Sequence, residues 1–273
     1  MHYILQENVF REQHYDLLEK SLIRFKLPYT KVRIFPFVEK IVALSDIPDG
    51  GFNVDELPEY VPPSNHVFCF GAIKLARIAS KKNWTPGSMM NDNHDFMVYK
   101  DYYKDDLLNI DSVICKVSDT FDWGDGLKFI RPTKDTKSFT GKLYEKEEWI
   151  DSVEHNLKNQ STELFNKDTQ IQVSSPKNIY QEIRCWVVNG EVISASTYKV
   201  GTQVVYKRVI DEEPLKYAQS MVDKFQLADA FVIDVCETDN GWKIVECNCI
   251  NCAGFYDVDI QKMLMAIEDQ FNS

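Results

Sequence analysis

FVIDVCETDNGWKIVECNCINCAGFY, residues 231–256, is the stretch whose reading decides the fold. Residues 231–237 are rich in branched and aromatic side chains, Asp239-Asn240-Gly241 has turn chemistry, and residues 242–248 resume an alternating pattern, which predicts a β-hairpin. Side chains alternate between the faces of a strand, so Glu246 and Asn248 point one way while Cys247 and Cys249 point the other. A three-residue loop with Gly241 in the left-handed position pairs Thr238 with Trp242 and sets Asp234 opposite Glu246. A tight Asn240-Gly241 turn would instead pair Asp234 with Cys247 and send the two carboxylates to opposite faces. The three-residue loop is the expectation. It gathers Asp234, Glu246 and Asn248 on one face, a hard-oxygen set suited to Mg2+ bridging protein carboxylates to substrate phosphates. A solvated face with scattered acids would read similarly, but Val232, Ile233, Ile244 and Val245 look buried, and buried acids need partners.

With 273 residues, 44% of them hydrophobic and 27% charged, the chain has ordinary globular composition and enough length for two or three lobes. No apolar run approaches the roughly 20 residues of a membrane span. The start MHYILQENVFREQHY lacks the basic region and small-residue cleavage site of a signal peptide, so a soluble, cytoplasmic protein is expected. The net charge of −11 comes without a basic run, which argues against a broad nucleic-acid surface. Seven cysteines read as reduced thiols. Cys247, Cys249 and Cys252 spell C-x-C-x-x-C, which could bind zinc or an iron–sulfur cluster, but only Cys236 is near enough to join them and packing is the favoured reading.

From the N-terminus, residues 3–7 and 30–37 read as strands around a helix over 11–25, in which Tyr15, Leu18, Leu22 and Phe25 keep helical spacing. A Pro-, Gly- and acid-rich loop over 48–63 leads to a buried-looking strand at 66–70, then Gly71 and a helix over 72–82. That order predicts an open α/β lobe with a parallel sheet. Gly71 lacks the further glycines of a dinucleotide fingerprint and reads as a tight strand-to-helix turn. Residues 92–109 read as a polar, Tyr-rich link, with the lobe boundary near 109 and a second unit over 110–273.

In the second unit, strands are expected at 113–117 and 127–131, the latter running into RPTKDTKSFTGKLY. Arg131 and Lys137 flank this loop, Ser138 and Thr140 offer hydroxyls, and Gly141 permits close backbone approach, so it could fold over phosphates; an ordinary basic surface turn is the alternative. A surface helix over 145–159 and a strand at 171–173 follow. The next hairpin, YQEIRCWVVNGEVISASTYK, turns at Asn189-Gly190, pairing Val188 with Glu191, Arg184 with Ala195 and Glu182 with Thr197. Lys199 shares that face, so Glu182, Arg184 and Lys199 gather on one sheet surface. Two cations there could stabilise charge developing on a phosphate or tetrahedral intermediate; a solvent-facing salt-bridge ladder is the alternative, and Trp186 on the same face speaks against it. Amphipathic helices over 214–225 and 259–271 complete the chain.

An α/β lobe, the segment FIRPTKDTKSFTG, the hairpin YQEIRCWVVNGEVISASTYK and then VECNCINCAGFY, in this order, resemble the ATP-grasp superfamily, and within it the phage and bacterial clade named for two arginines and a lysine. The resemblance spans the whole chain and implies a mixed α/β (α+β) ATP-grasp fold behind a Rossmann-like N-terminal lobe. It implies ATP and Mg2+ as cofactors, with Arg131 toward the nucleotide phosphates and residues 137–141 as the phosphate-covering loop. Residues 171–174, Val173 and Ser174 among them, would form the hinge that meets adenine within 171–176, and Glu182 would also contact the nucleotide. Arg184 and Lys199 would face the γ-phosphate and the acyl intermediate, and Asp234, Glu246 and Asn248 would hold the metal. The chain departs from familiar members in lacking a glycine-rich SSGKG-type loop and in having Val232 where an arginine often precedes the metal aspartate, a charge Arg184 could supply. The implied activity is an ATP-dependent carboxylate–amine ligase passing through an acylphosphate, acting on a peptide or amino acid. A phosphotransferase on the same scaffold and a nucleotide-binding module without turnover are the alternatives.

Overall fold

Strand β1 (His2–Gln6) leads into helix α1 (Gln13–Phe25), followed by β2 (Tyr29–Phe35), β3 (Lys40–Ala43), β4 (His66–Phe70), α2 (Ile73–Lys81) and β5 (Thr85–Gly87). The computed structural model describes residues 1–7, 9, 13–35, 39–135, 138–159 and 165–272. The expected helix start at 11–12, the strand end at 36–37 and Lys137 lie outside them. The first sheet runs β3-β2-β1-β4-β5, parallel throughout except for the antiparallel edge strand β3, as the alternating strand–helix order predicts. At the end of β4, a Cβ on Gly71 would meet the Gln6 side chain at 2.7 Å, so glycine is needed there for packing, in line with the turn reading.

Helix α3 (Phe96–Tyr103) occupies the segment whose composition suggests a link. It has a signal of its own, since Phe96, Tyr99 and Tyr103 recur at helical spacing and Asp95 caps the first turn by accepting from the Met97 N–H at 3.0 Å. Phe96, Tyr99, Tyr103 and Leu107 pack beneath the later sheet, not the first one.

The middle of the chain forms β6 (Val113–Lys116), β7 (Lys128–Pro132), β8 (Lys142–Tyr144), α4 (Lys146–Asn159) and β9 (Gln170–Ser174), with strand order β6-β9-β7-β8. Its core joins Ile130, Ile171 and Val173 to Trp149 of α4 and to Phe165. The last part comprises β10 (Gln181–Val188), β11 (Glu191–Val200), β12 (Gln203–Arg208), α5 (Glu212–Lys224), β13 (Ala230–Thr238), β14 (Gly241–Cys249) and α6 (Ile260–Phe271). These strands form a sheet ordered β12-β11-β10-β13-β14.

One face of this sheet, with Ile183, Cys185, Val187, Ile233 and Val235, is buried against α3 and α5. The other face is divided. Trp186 and Val232 pack with Phe68 and Phe70 of the first sheet and with Met263 and Leu264 of α6, while the polar residues further along remain for the site. Helix α6 begins at Asp259, whose side chain accepts from the Lys262 N–H at 3.0 Å.

Both hairpins depart from regular pairing. The β10–β11 turn is the tight Asn189-Gly190 pair with φ of 51° and 75°, as its sequence demands. Two extra residues in β11, Ile193 and Tyr198, then shift the register, so Arg184 opposes Ser196 and Glu182 opposes Lys199, in place of the expected Ala195 and Thr197. In the β13–β14 hairpin Gly241 does hold a positive φ of 81°, but Thr238 pairs with Gly241 and Glu237 with Trp242. Continued regularly, that pairing would carry Glu246 to the core face opposite Ile233. A bulge at Val245 restores Asp234 opposite Glu246, so the expected pair forms for a different reason.

Candidate active site

The bulges at Ile193 and Val245 align a row of side chains across all five strands: Glu246 on β14, Asp234 on β13, Arg184 on β10, Ser196 on β11 and Arg208 on β12. A second row on the same face sets Cys236, Glu182, Lys199 and Val204 beside it. The β10–β13 pairing brings Arg184 against Asp234, a contact no single hairpin reveals.

Arg184 grips Asp234 with both arms, Nε to Oδ1 at 2.9 Å and Nη2 to Oδ2 at 2.7 Å, in a pair that is almost wholly buried. Burial by itself would lower the Arg184 pKa, but the Asp234 carboxylate outweighs it and holds the guanidinium well above its ordinary value. Its Nη1 donates to the Gly254 carbonyl at 3.4 Å, and the rings of Tyr256 and Tyr198 lie 4.7 and 5.7 Å from the guanidinium carbon.

Arg131, at the end of β7, reaches across from the middle sheet to Glu246, Nη2 to Oε2 at 2.5 Å. Burial would depress this guanidinium too, and the Glu246 charge again reverses the shift. Asn248 Nδ2 donates to the other oxygen of Glu246 at 2.8 Å. Lys199 and Tyr198 both donate to Glu182, each at 2.7 Å, one to either carboxylate oxygen.

The loop after Arg131 folds onto this site. Asp135 is buried, and its Oδ2 accepts the Cys249 N–H at 2.9 Å, tying the loop to the residue after Asn248. Sequence reasoning misses Asp135, since a single acid in a basic loop carries no periodicity. Ser138 is buried and its Oγ has no hydrogen-bond partner among the described residues, while Thr140 and Gly141 are exposed. A Cβ on Gly141 would meet the Arg131 Cβ at 2.8 Å, so this glycine lets the loop close on Arg131.

Val173 and Ser174 are the residues expected to meet adenine. Val173 lies in the central strand of its sheet, opposite Val113 and Ile130, with its side chain in the core. Ser174 is buried as well, and its Oγ donates to Asn109 Oδ1 at 3.1 Å.

The expected metal ligands share one face, but each carboxylate already has a guanidinium partner. Glu246, with 22% of its side chain exposed, and Asn248 fit as two oxygen ligands for Mg2+, which takes its remaining positions from water and phosphate. Asp234 fits only if Arg184 releases one of its oxygens. Among the described residues no group of three or more His, Cys, Asp or Glu could hold a metal. Cys247 packs in the core beside Tyr103, on the face opposite Glu246 and Asn248, so the C-x-C-x-x-C run forms no cluster. All seven cysteines are thiols.

The fold matches that of solved structures along the chain's full length. The D-alanine–D-alanine ligase of Bacillus anthracis complexed with ATP superposes with a TM-score of 0.61 at 11% identity, covering 99% of this chain and 97% of that one. A RimK domain ATP-grasp protein of Sphaerobacter thermophilus gives 0.59 at 12% identity, with 100% of both chains covered. The ATP-grasp ligase PsnB, complexed with its precursor peptide PsnA2 and AMPPNP, gives 0.52 at 12% identity, covering 99% and 97%. The fold is that of an ATP-grasp protein. The model of the ATP-grasp domain, third family of the clade named for two arginines and a lysine, matches residues 55–267, and the chain belongs to that family. No curated protein matches. Among the described residues, no helix is long and apolar enough to cross a membrane.

Proposed function

We propose that this protein is an ATP-dependent carboxylate–amine ligase acting on a peptide or amino acid. The observation that carries this reading is the row Glu246–Asp234–Arg184, with Glu182–Lys199 beside it and Arg131 facing it from the other sheet. Such a surface offers oxygens to a metal and fixed cations to phosphate oxygens, which is what transfer of a phosphoryl group requires.

In this reading Arg131 and the loop containing Lys137, Ser138, Thr140 and Gly141 cover the nucleotide phosphates. Val173, Ser174 and Glu182 lie on the nucleoside side. Glu246 and Asn248, joined by Asp234 once Arg184 lets go, hold Mg2+, which would neutralise charge on the phosphate oxygens. Arg184 released from Asp234, together with Lys199, meets the substrate carboxylate. A carboxylate oxygen of the substrate attacks the γ-phosphorus and its bond to ADP breaks. The amine nitrogen then attacks the acyl carbon, inorganic phosphate leaves, and the nitrogen loses a proton. The protein aligns the partners and balances their charge.

The test is a paired assay of ADP and inorganic phosphate with pooled amino acids and peptides. Equal release of both that requires an added carboxylate and amine together supports the ligase, whereas equal release without them is ATP hydrolysis. ADP without phosphate would indicate a phosphotransferase, and Mg-ATP binding without ADP formation a module that only binds.

A further inference from the structure

Tyr206 stands on β12, the edge strand of the last sheet, and is 49% exposed. One side of its ring stacks on Tyr256 with centroids 5.0 Å apart, Tyr256 stacks on Tyr198 at the same distance, and Tyr256 covers the Arg184 guanidinium at 4.7 Å. Tyr256 holds a φ of 47°, a left-handed backbone that a bulky residue adopts only where its surroundings impose it. Here they do. The Arg208 N–H donates to Asp257 Oδ2 at 2.8 Å, its guanidinium reaches the Asp257 and Val258 carbonyls at 3.5 and 3.4 Å and Asp259 at 3.1 Å, and the Asp257 N–H donates to Ser196 Oγ at 3.2 Å. The three rings therefore form a fixed wall running from Arg184 to the sheet edge.

Beside the wall, Lys199 is 42% exposed along its side chain and is tied to Glu182 by one bond, and Val204, 70% exposed, sits opposite it on β12. In a chain of net charge −11, this corner presents Lys199, held by Glu182 at 2.7 Å, and Arg208, held by Asp259 at 3.1 Å, on one face of the sheet. A cation next to a half-open aromatic face complements an anion that carries a flat apolar group. A cationic side chain would meet like charge there.

Building on the ligase reading, we propose that Tyr206 and Lys199 select the carboxylate substrate: an amino-acid or peptide carboxylate directed to Lys199, whose neighbouring aromatic side chain continues the stack on Tyr206. The competing account is that the tyrosines only seal the buried Arg184–Asp234 pair, in which case Tyr206 affects stability and not selectivity.

Ligand-observed saturation-transfer NMR on the full chain with Mg2+ and a non-hydrolysable ATP analogue separates the two. The probes are N-acetyl-alanine, -leucine, -phenylalanine, -tryptophan and -lysine. The aromatic members should bind about tenfold more tightly than N-acetyl-alanine. Tyr206→Ala should erase that preference, Tyr206→Phe should keep it, and Lys199→Met should weaken every member. Equal affinity across the panel, preference for N-acetyl-lysine, no binding of any member, or an aromatic preference that survives Tyr206→Ala would overturn the assignment. Nucleotide binding is recorded in the same samples. If it is intact while the panel is indifferent, only the selectivity fails; if it is absent, the ligase reading fails with it.

Discussion

Asp234 and Arg184 form an ion pair almost wholly shut off from water, so each depends on the other for its solvation. Asp234→Ala leaves the buried Arg184 guanidinium with Glu246 at 3.9 Å as its nearest carboxylate and should cost about 3 kcal/mol in urea unfolding, whereas Asp234→Leu combined with Arg184→Leu should recover most of that loss. A double variant as unstable as the sum of its singles would mean the pair is not coupled. At this scale the sequence is informative within hairpins and silent between them. Asp234 opposite Glu246 is expected from a three-residue loop and is reached through a tighter turn offset by the bulge at Val245, while Arg184 against Asp234 depends on β10 lying beside β13, which no local spacing encodes. The same gap hides the bridge from Arg131 to Glu246, which joins two sheets.

Among the elements, the bulges decide what reaches the cleft. Val245 turns Glu246 to the site face, and the extra residue Tyr198 brings Lys199 opposite Glu182. Bulges leave little trace in a pattern of letters, which is why the sequence misplaces the opposite partners of Arg184 and Glu182 although it finds their shared face. Edge strand β12, exposed along nearly all its length, shows no alternation and gives no strand signal. The loop after β7 provides the prediction proper to this scale. Gly141→Ala forces the loop off the Arg131 Cβ, and nucleotide affinity should fall by roughly ten- to a hundredfold with little change in unfolding midpoint. Unchanged affinity would show that the loop's approach to Arg131 plays no part in binding.

Over the whole molecule, one hydrophobic cluster unites the first sheet, the last sheet and α6, with Phe68, Phe70, Trp186, Val232, Met263 and Leu264 among its members. The order of strands and helices makes the α/β lobe legible. The fusion of that lobe to the later sheet is not legible, because α6 is amphipathic whatever it packs against. Met263→Ala, at a fully buried position, should cost about 2–5 kcal/mol and lower a single cooperative calorimetric transition shared by both sheets. Separate transitions, only one of them shifted, would show that the cluster does not couple the sheets. The central claim concerns the site these sheets support, and titration calorimetry of Mg-ATP against the wild-type chain and Glu246→Gln tests it most directly. The account predicts Mg2+-dependent binding in the wild type, weakened at least tenfold in Glu246→Gln, with each sample's fold checked by its unfolding transition. Equal binding by the two proteins, or binding indifferent to Mg2+, would contradict it.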